Sequence, residues 1–434
     1  MEVARRCGRG SVSGVSLSRI LTPFSSRNYR LYFFGQLLSL LGTWMTQTAT
    51  VWLVYHLTGS PFWLGAVTLL GQAPAIFLSP LGGVWVDRVD RLKMLIGTQT
   101  LAMIQSLLLA WFTFSGRLDI GWLTGLAMLQ GLINAFDLPT RQSLNVLLAE
   151  KREHLPSIIG MNSSMFNLAR LAGPAVAGFV IAGYGAGWCF LIDGLSYLAV
   201  LAAIFCMRLE QPRPVRSGRS VWHEMREGAR YAWGFLPIRV VLLFTAAMGI
   251  FGMSFAVLIP VYAKVVFGGD ARTLGWLMSA SAAGSVLGAL HLAGRRSIRG
   301  LGRTILFGGL AASAGLAVLA GSKNLELSMG CLLLTGMGGI LVFASNNTLV
   351  QNLVEEGIRG RVMSIYTVAF LGGIPLGSLL TGTLADAWGL PLATGLNAAS
   401  CLVITLVFAA WLPRLRAEAR PVLERAGLLP AAGK

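Results

Sequence analysis

Apolar stretches long enough to cross a bilayer recur along the chain, separated by short polar breaks. They fall near 32–55, 62–86, 94–115, 122–140, 157–183 and 188–207, and again near 238–263, 273–294, 304–321, 325–347, 361–386 and 391–412. Each approaches the ~20 residues that a helix needs to cross ~30 Å of hydrocarbon. The pattern predicts an all-α membrane protein with twelve transmembrane helices. A polar stretch, 208–237, divides them into six and six. It contains Pro212 and Pro214, and 221–233 suits a short amphipathic surface helix. Such a stretch is the expected linker between two pseudo-symmetric six-helix halves. The expected organisation is therefore a cytoplasmic tail at 1–31, a first half at 32–207, the linker at 208–237, a second half at 238–412 and a second cytoplasmic tail at 413–434. The first segment is rich in Arg and Ser and has no apolar run, so it does not read as a cleavable signal peptide.

Composition excludes the soluble alternatives. The 434 residues would fit two soluble domains, but 55% are hydrophobic and only 12% charged, about half the ~25% usual in soluble domains. Mean hydropathy is +0.67. Disorder, a coiled coil and a disulfide-stapled module are excluded by the same figures. The net charge of +17 does not point to nucleic acid, because no basic cluster sits on a soluble domain of its own. With the N-terminus inside, 30 of the 35 Lys and Arg fall in cytoplasmic segments. Arg117, Lys264, Arg272 and Lys323 fall outside, and Arg170 lies within a span. This asymmetry puts both termini in the cytoplasm of a plasma (inner) membrane protein. The five Cys and four His have no ligand-like spacing. No nucleotide-binding loop or nucleophile elbow is present. An enzyme, a metal site and a cofactor are not expected.

The most specific string is Gly82-Gly83-Val84-Trp85-Val86-Asp87-Arg88-Val89-Asp90-Arg91-Leu92-Lys93, between the second and third spans. Its G-x-x-x-D-R-x-x-R-x-K spacing resembles the signature loop of the major facilitator superfamily. The second half keeps glycines and basic residues at Gly294-Arg295-Arg296-Ser297-Ile298-Arg299-Gly300 but lacks the Asp. Weak internal similarity, ARLAGPAVAG at 169–178 against FLGGIPLGSL at 370–379, agrees with duplicated halves. The segments 27–32, 139–142, 170–174, 359–364 and 373–378 resemble the drug- and siderophore-exporting branch, which includes the enterobactin exporter and macrolide efflux proteins. That resemblance implies proton-coupled export of a small amphiphilic compound, a drug or siderophore. It also implies halves that rock about a central site, with the Asp87 loop stabilising one closed state. The expected partners are a small-molecule substrate, protons and the lipid bilayer, with the chain acting as a monomer.

Polar residues inside the spans nominate the site. Gln36, Thr43, Gln47 and Thr50 fall on one face of the first span. They either bond to neighbouring helices or line a cavity, and the superfamily resemblance favours the cavity. Asn134, Asp137 and Arg141 share a face of the fourth span. Asp137 is a candidate proton carrier, or a clamp paired with Arg91 or Arg141. The resemblance assigns Gly83, Asp87, Arg88, Arg91, Lys93, Asp137 and Arg141 to an inner gate. Arg170 lies near mid-bilayer with Asn162 and Asn167 close to its face. A charge there is rarely idle, and it reads equally as an anion contact or a structural tie. Asn134 and Asn167 join the candidate cavity residues. Asp193 lies about 8 Å below the outer surface and is the leading candidate to take up and release a proton, or else a solvated residue of the outer vestibule. A carrier of lipid-like cargo, an importer and a non-transporting sensor or scaffold are the rival readings.

Overall fold

The computed structural model describes residues 22–86, 89–149, 154–207, 221–295 and 297–425. Twelve long helices form one bundle, and eleven of them are long and apolar enough to cross a membrane. The first half comprises α1 (Arg27–Thr58), α2 (Pro61–Val86), α3 (Arg91–Phe114), α4 (Ile120–Leu148), α5 (Leu155–Tyr184) and α6 (Ala186–Cys206). A short helix, α7 (Val221–Gly234), follows. The second half comprises α8 (Leu236–Val266), α9 (Ala271–Ala293), α10 (Leu301–Gly321), α11 (Leu325–Leu353), α12 (Glu356–Trp388) and α13 (Leu390–Arg425). The helix too polar to count among the eleven is α4. It has 29 residues, but Asn134, Asp137, Arg141, Gln142 and Asn145 dilute its hydrophobic character.

Local chemistry fixes the helix ends. Asp90, Asp119, Asp270 and Asn324 cap α3, α4, α9 and α11, each accepting a backbone N–H of the first turn. A single glycine joins α5 to α6 and another joins α12 to α13. Gly185 and Gly389 have φ of 94° and 87°, a region that costs other residues and not glycine. These turns occupy equivalent positions in the two halves. So do Pro174 and Pro375, each inside the fifth span of its half.

Packing repeats between the halves in the same order. Helix α1 packs on α5 and α6, α2 on α4, and α3 on α4 and α6. In the second half, α8 packs on α12 and α13, α9 on α11, and α10 on α11 and α13. Two seams join the halves, α2 with α12 and α5 with α9. Both depend on small residues that let backbones touch. A Cβ at Gly178 would stand 2.6 Å from the Ala271 carbonyl oxygen, and one at Gly275 would stand 2.5 Å from that of Pro174. In the other seam Gly65 meets Ser378 and Gly382 meets Pro61.

The contacts between halves gather toward one end of the bundle. Ser60 Oγ donates to Asp386 Oδ1 at 2.8 Å, and Lys264 Nζ lies 3.3 Å from His56 Nδ1. Val54, Tyr55, Leu64 and Val67 belong to the same apolar core as Leu258, Tyr262 and Leu390. At the opposite end the first half keeps its own core, built from Tyr29, Tyr32, Leu95, Leu144, Ile158 and Ile204 with no residue of the second half.

One element outruns its expected bounds, and another falls where it was expected. α13 continues past 412 through Pro413 and Pro421 to Arg425, where a tail was expected. Buried Leu415 and Leu423 keep packing on the second-half core, which holds the extension. α7 lies where an amphipathic helix was expected, tied to α12 by the Arg361–Glu227 ion pair at 2.6 Å. The rest of the expected linker, 208–220, lies outside the described residues.

Candidate functional site

The first half buries two carboxyl groups among α1, α3, α4 and α6. Asp137 is 5% exposed. Its Oδ1 accepts from Thr98 Oγ1 at 2.8 Å and Gln99 Nε2 at 2.7 Å, and its Oδ2 accepts from Arg141 Nε at 2.5 Å. One helical turn separates Asp137 from Arg141, so the pair is set by their spacing on α4. Tyr32 of α1 adjoins the Arg141 guanidinium. Of the two cations named as partners for Asp137, Arg141 holds the position.

Asp193 is 1% exposed. Ser106 Oγ of α3 donates to its Oδ2 at 2.6 Å. The hydroxyls of Thr43 and Thr46 on α1 adjoin the carboxyl, and among the described residues its Oδ1 has no hydrogen-bond partner. The carboxyl is enclosed by the first half and does not open to a vestibule. Tyr197, one turn further along α6, is the electrostatic neighbour of Asp193 and of the Asp137–Arg141 pair. An ionised carboxylate enclosed without a cation is costly. The polar groups that face it are neutral hydroxyls.

Arg170 meets neither carboxyl. Its Cζ lies 6.0 Å from the centroid of the Trp44 ring, a cation–π contact. Trp44 in turn packs edge-on against Phe166, with centroids 5.6 Å apart. Among the described residues no carboxylate lies within ion-pair distance of Arg170. One residue along, the Leu171 carbonyl accepts from Ser279 Oγ of α9 at 2.9 Å. Arg170 thus stands beside the seam between the halves.

The polar stripe of α1 divides. Gln36 is buried, with no hydrogen-bond partner among the described residues at either end of its amide. Thr43 is half-buried and bonds its own helix at Ser39 O, and Gln47 is exposed. Asn134 accepts from Gln130 on its own helix at 3.1 Å, apart from the Asp137 cluster. Asn167 donates to the Ser163 carbonyl at 2.8 Å. Asn162 accepts from Tyr29 and donates to Asn145, tying α1, α4 and α5 at the end opposite the seams. Among the gate candidates, Gly83 lies in the last turn of α2, and Arg91 and Lys93 lie in the first turn of α3 behind the Asp90 cap. Asp87 and Arg88 lie outside the described residues.

Several site residues were not singled out from the sequence. Thr98, Gln99, Gln105 and Ser106 are polar interruptions of an otherwise apolar α3, a signal present in the sequence. Trp44 and Phe166 carried no such signal, because aromatics in spans are ordinary. The second half also holds buried polar ties. Asn346 donates to Thr245 at 3.1 Å, Tyr262 to Thr394 at 2.9 Å, and Asn397 to Thr381 at 3.1 Å.

Duplicated six-helix halves, two small-residue seams and polar groups buried in the spans define a membrane transporter of the major facilitator type. Residues 18–425 match the family of transmembrane secretion effectors, and the chain belongs to that family of the superfamily. It is 26% identical over 382 residues to the staphyloferrin A transporter of Staphylococcus aureus, covering 87% of this chain and 95% of that one. It is 27% identical over 399 residues to the multidrug efflux pump Tap of Mycolicibacterium fortuitum, covering 89% and 96%. Among solved structures, the nucleoside transporter NupG superposes with a TM-score of 0.71 at 15% identity, over 89% of this chain and 99% of that one. A bacterial homologue of the lysosomal transporter Spinster, inward-facing and unoccupied, superposes with a TM-score of 0.67 at 14% identity, over 96% and 100%. These relatives are transporters and not enzymes.

Proposed function

We propose that the protein is a proton-coupled exporter of a small amphiphilic compound in the plasma membrane, acting as a monomer with both termini in the cytoplasm. The observation that carries this reading is the pair of carboxyl groups, Asp137 and Asp193, buried in the half whose α1 and α5 also present Thr43, Trp44, Gln47 and Arg170. A carrier driven by protons needs groups that bind them out of bulk water and beside the cargo path. Relatives named as an efflux pump and a siderophore transporter support the direction and the cargo class. Asp193, with its partly unpaired carboxyl, is the coupling group of choice. Asp137, held by Arg141, is the clamp. Gly83, Asp87, Arg88, Arg91 and Lys93 complete an inner gate, and the halves 32–207 and 238–412 rock about Arg170. Under the basic-inside topology the seams lie at the outer face, the arrangement of an inward-facing state.

The test is uptake of a panel of labelled amphiphiles into energised inverted vesicles containing the full chain. Accumulation that collapses on adding a protonophore is expected for at least one compound. Accumulation indifferent to the protonophore would overturn proton coupling, and no accumulation of any compound would overturn export.

A further inference from the structure

Two arginines reach deep into the first half, and they differ in one respect. Arg141 is neutralised by Asp137. Arg170 is not neutralised by any described residue. Among the described residues its one charge-related contact is the Trp44 ring at 6.0 Å. The sequence explains why no partner arrives. Of its 18 acidic residues, only Asp137 and Asp193 lie well inside a span of the bundle; Asp137 pairs with Arg141 and Asp193 accepts from Ser106, so neither meets Arg170. The remaining acids fall at helix ends, in connecting segments or in the terminal segments. A guanidinium at mid-depth costs several kcal/mol unless paired or hydrated. An unpaired guanidinium there offers a place for an anionic partner.

The direction of Arg170 follows from its helix. Gly173 of α5 abuts Trp44 of α1, while Leu171, Pro174 and Gly178 face α9. At about 100° per residue, Arg170 falls between these two faces. Leu168 and Phe179, both exposed, lie about 160° and 180° around the helix from it. Arg170 therefore lies on the arc of α5 between the face packed on α1 and the face packed on α9, with its guanidinium beside Trp44. Phe166, one turn before it, is 45% exposed on the same side. The result is one fixed positive charge set beside an aromatic wall of Trp44 and Phe166.

We infer that Arg170, Trp44 and Phe166 form the recognition centre for an anionic aromatic amphiphile, a carboxylate or sulfonate whose charge sits on the guanidinium and whose ring system lies on the aromatic wall. The planar fork of Arg suits two-point contact with such an anion. The inference rests on the transporter reading of the central cleft and names its cargo class. It separates this chain from carriers of cationic drugs, which an uncompensated Arg repels.

The experiment uses the full chain in phosphatidylcholine nanodiscs and two matched ligands, pyrenebutyrate and pyrenebutylammonium. Binding is read by energy transfer from tryptophan to pyrene, with empty discs subtracted. Wild type should bind the carboxylate about tenfold or more tighter than the ammonium, a difference of about 1.4 kcal/mol. R170Q should erase that preference while thermal unfolding stays unchanged. If R170Q does not fold, R170K serves instead, since it keeps the charge and loses the fork, and it should weaken carboxylate binding roughly threefold. A wild-type preference for the ammonium, or an unchanged ratio in R170Q or R170K, overturns the inference. Discs containing phosphatidylglycerol form the second arm. Loss of pyrenebutyrate binding there would identify the occupant as an anionic lipid and overturn a soluble cargo. Binding needs no gradient. Arg170-dependent preference without driven export would therefore defeat the pump and spare the site, and driven export without that preference would do the reverse.

Discussion

Gly42 of α1 lies directly against Asp193 of α6. A Cβ at position 42 would stand 2.8 Å from both the Cα and the Oδ1 of Asp193, and 2.9 Å from Ser196 Oγ. Small residues let helix pairs in membranes approach this closely, and here the approach encloses a carboxyl. Gly42→Ala should force α1 off α6 and cost about 1–3 kcal/mol by overpacking. Thermal unfolding in detergent would register it as a lowered midpoint. An unchanged midpoint would show that the contact yields freely.

Asp193→Asn keeps the shape of the side chain and its bond from Ser106 while removing the exchangeable carboxyl. Driven export should fall by about tenfold or more, while exchange of cargo at equilibrium stays within about twofold, since only the coupled step loses its group. The two assays on the same vesicles separate these outcomes. Full driven export across the pH range would transfer the coupling role to Asp137 or another group.

Asp137 and Arg141 should behave as a unit. Breaking a buried pair by removing one partner costs about 3–5 kcal/mol, because a charge is left uncompensated. Asp137→Asn and Arg141→Met should each lower the unfolding midpoint. The double variant should recover part of the loss, giving a coupling energy above about 1 kcal/mol. Simple additivity would mean that Thr98 and Gln99 carry the carboxyl without help.

Ser60 and Asp386 bridge the halves at the seam end, 2.8 Å apart. Cysteines at both positions, in a chain stripped of its native thiols, should form an intramolecular disulfide and stop transport. A reductant should restore it. Transport that continues in the oxidised protein would mean that the seam need not open.

Topology is tested by labelling the same thiol-free chain in intact cells. An impermeant maleimide should reach Arg117→Cys and miss Ser217→Cys. Labelling at 217 would reverse the assignment of both termini.

The spans were legible because their apolar runs match a bilayer's thickness, and the duplication because Pro174 and Pro375 recur in register. The Asp137–Arg141 pair was legible because four residues make one helical turn. Facing was harder to read. The depth of Asp193 follows from its position in the span, but its enclosure depends on Gly42 and Ser106, which lie 151 and 87 residues away in sequence. The stripe on α1 shares one face by periodicity, yet Gln36 is buried and Gln47 exposed, because the neighbours of a long helix change along its length. The Trp44–Arg170 contact is tertiary throughout and has no local signature. α13 outruns its apolar stretch because buried leucines continue on one face after the other faces turn polar.

The two halves are not mechanical equals. α1 keeps one hydrogen-bonding register for 32 residues. Its counterpart α8 shifts register repeatedly, through a π turn at Gly249–Met253, a 3₁₀ turn at Ser254–Leu258 and a second π turn at Tyr262–Val266. Pro260 withholds a backbone donor in that stretch. In the proposed function α1 and α8 wall the cargo chamber, one as a stiff spar and the other jointed. A chamber built that way can fix the headgroup of its cargo on the rigid side and let the jointed side swell or shrink around tails of unequal girth. Breadth of cargo would then be a property of the second half, and selectivity for charge a property of the first.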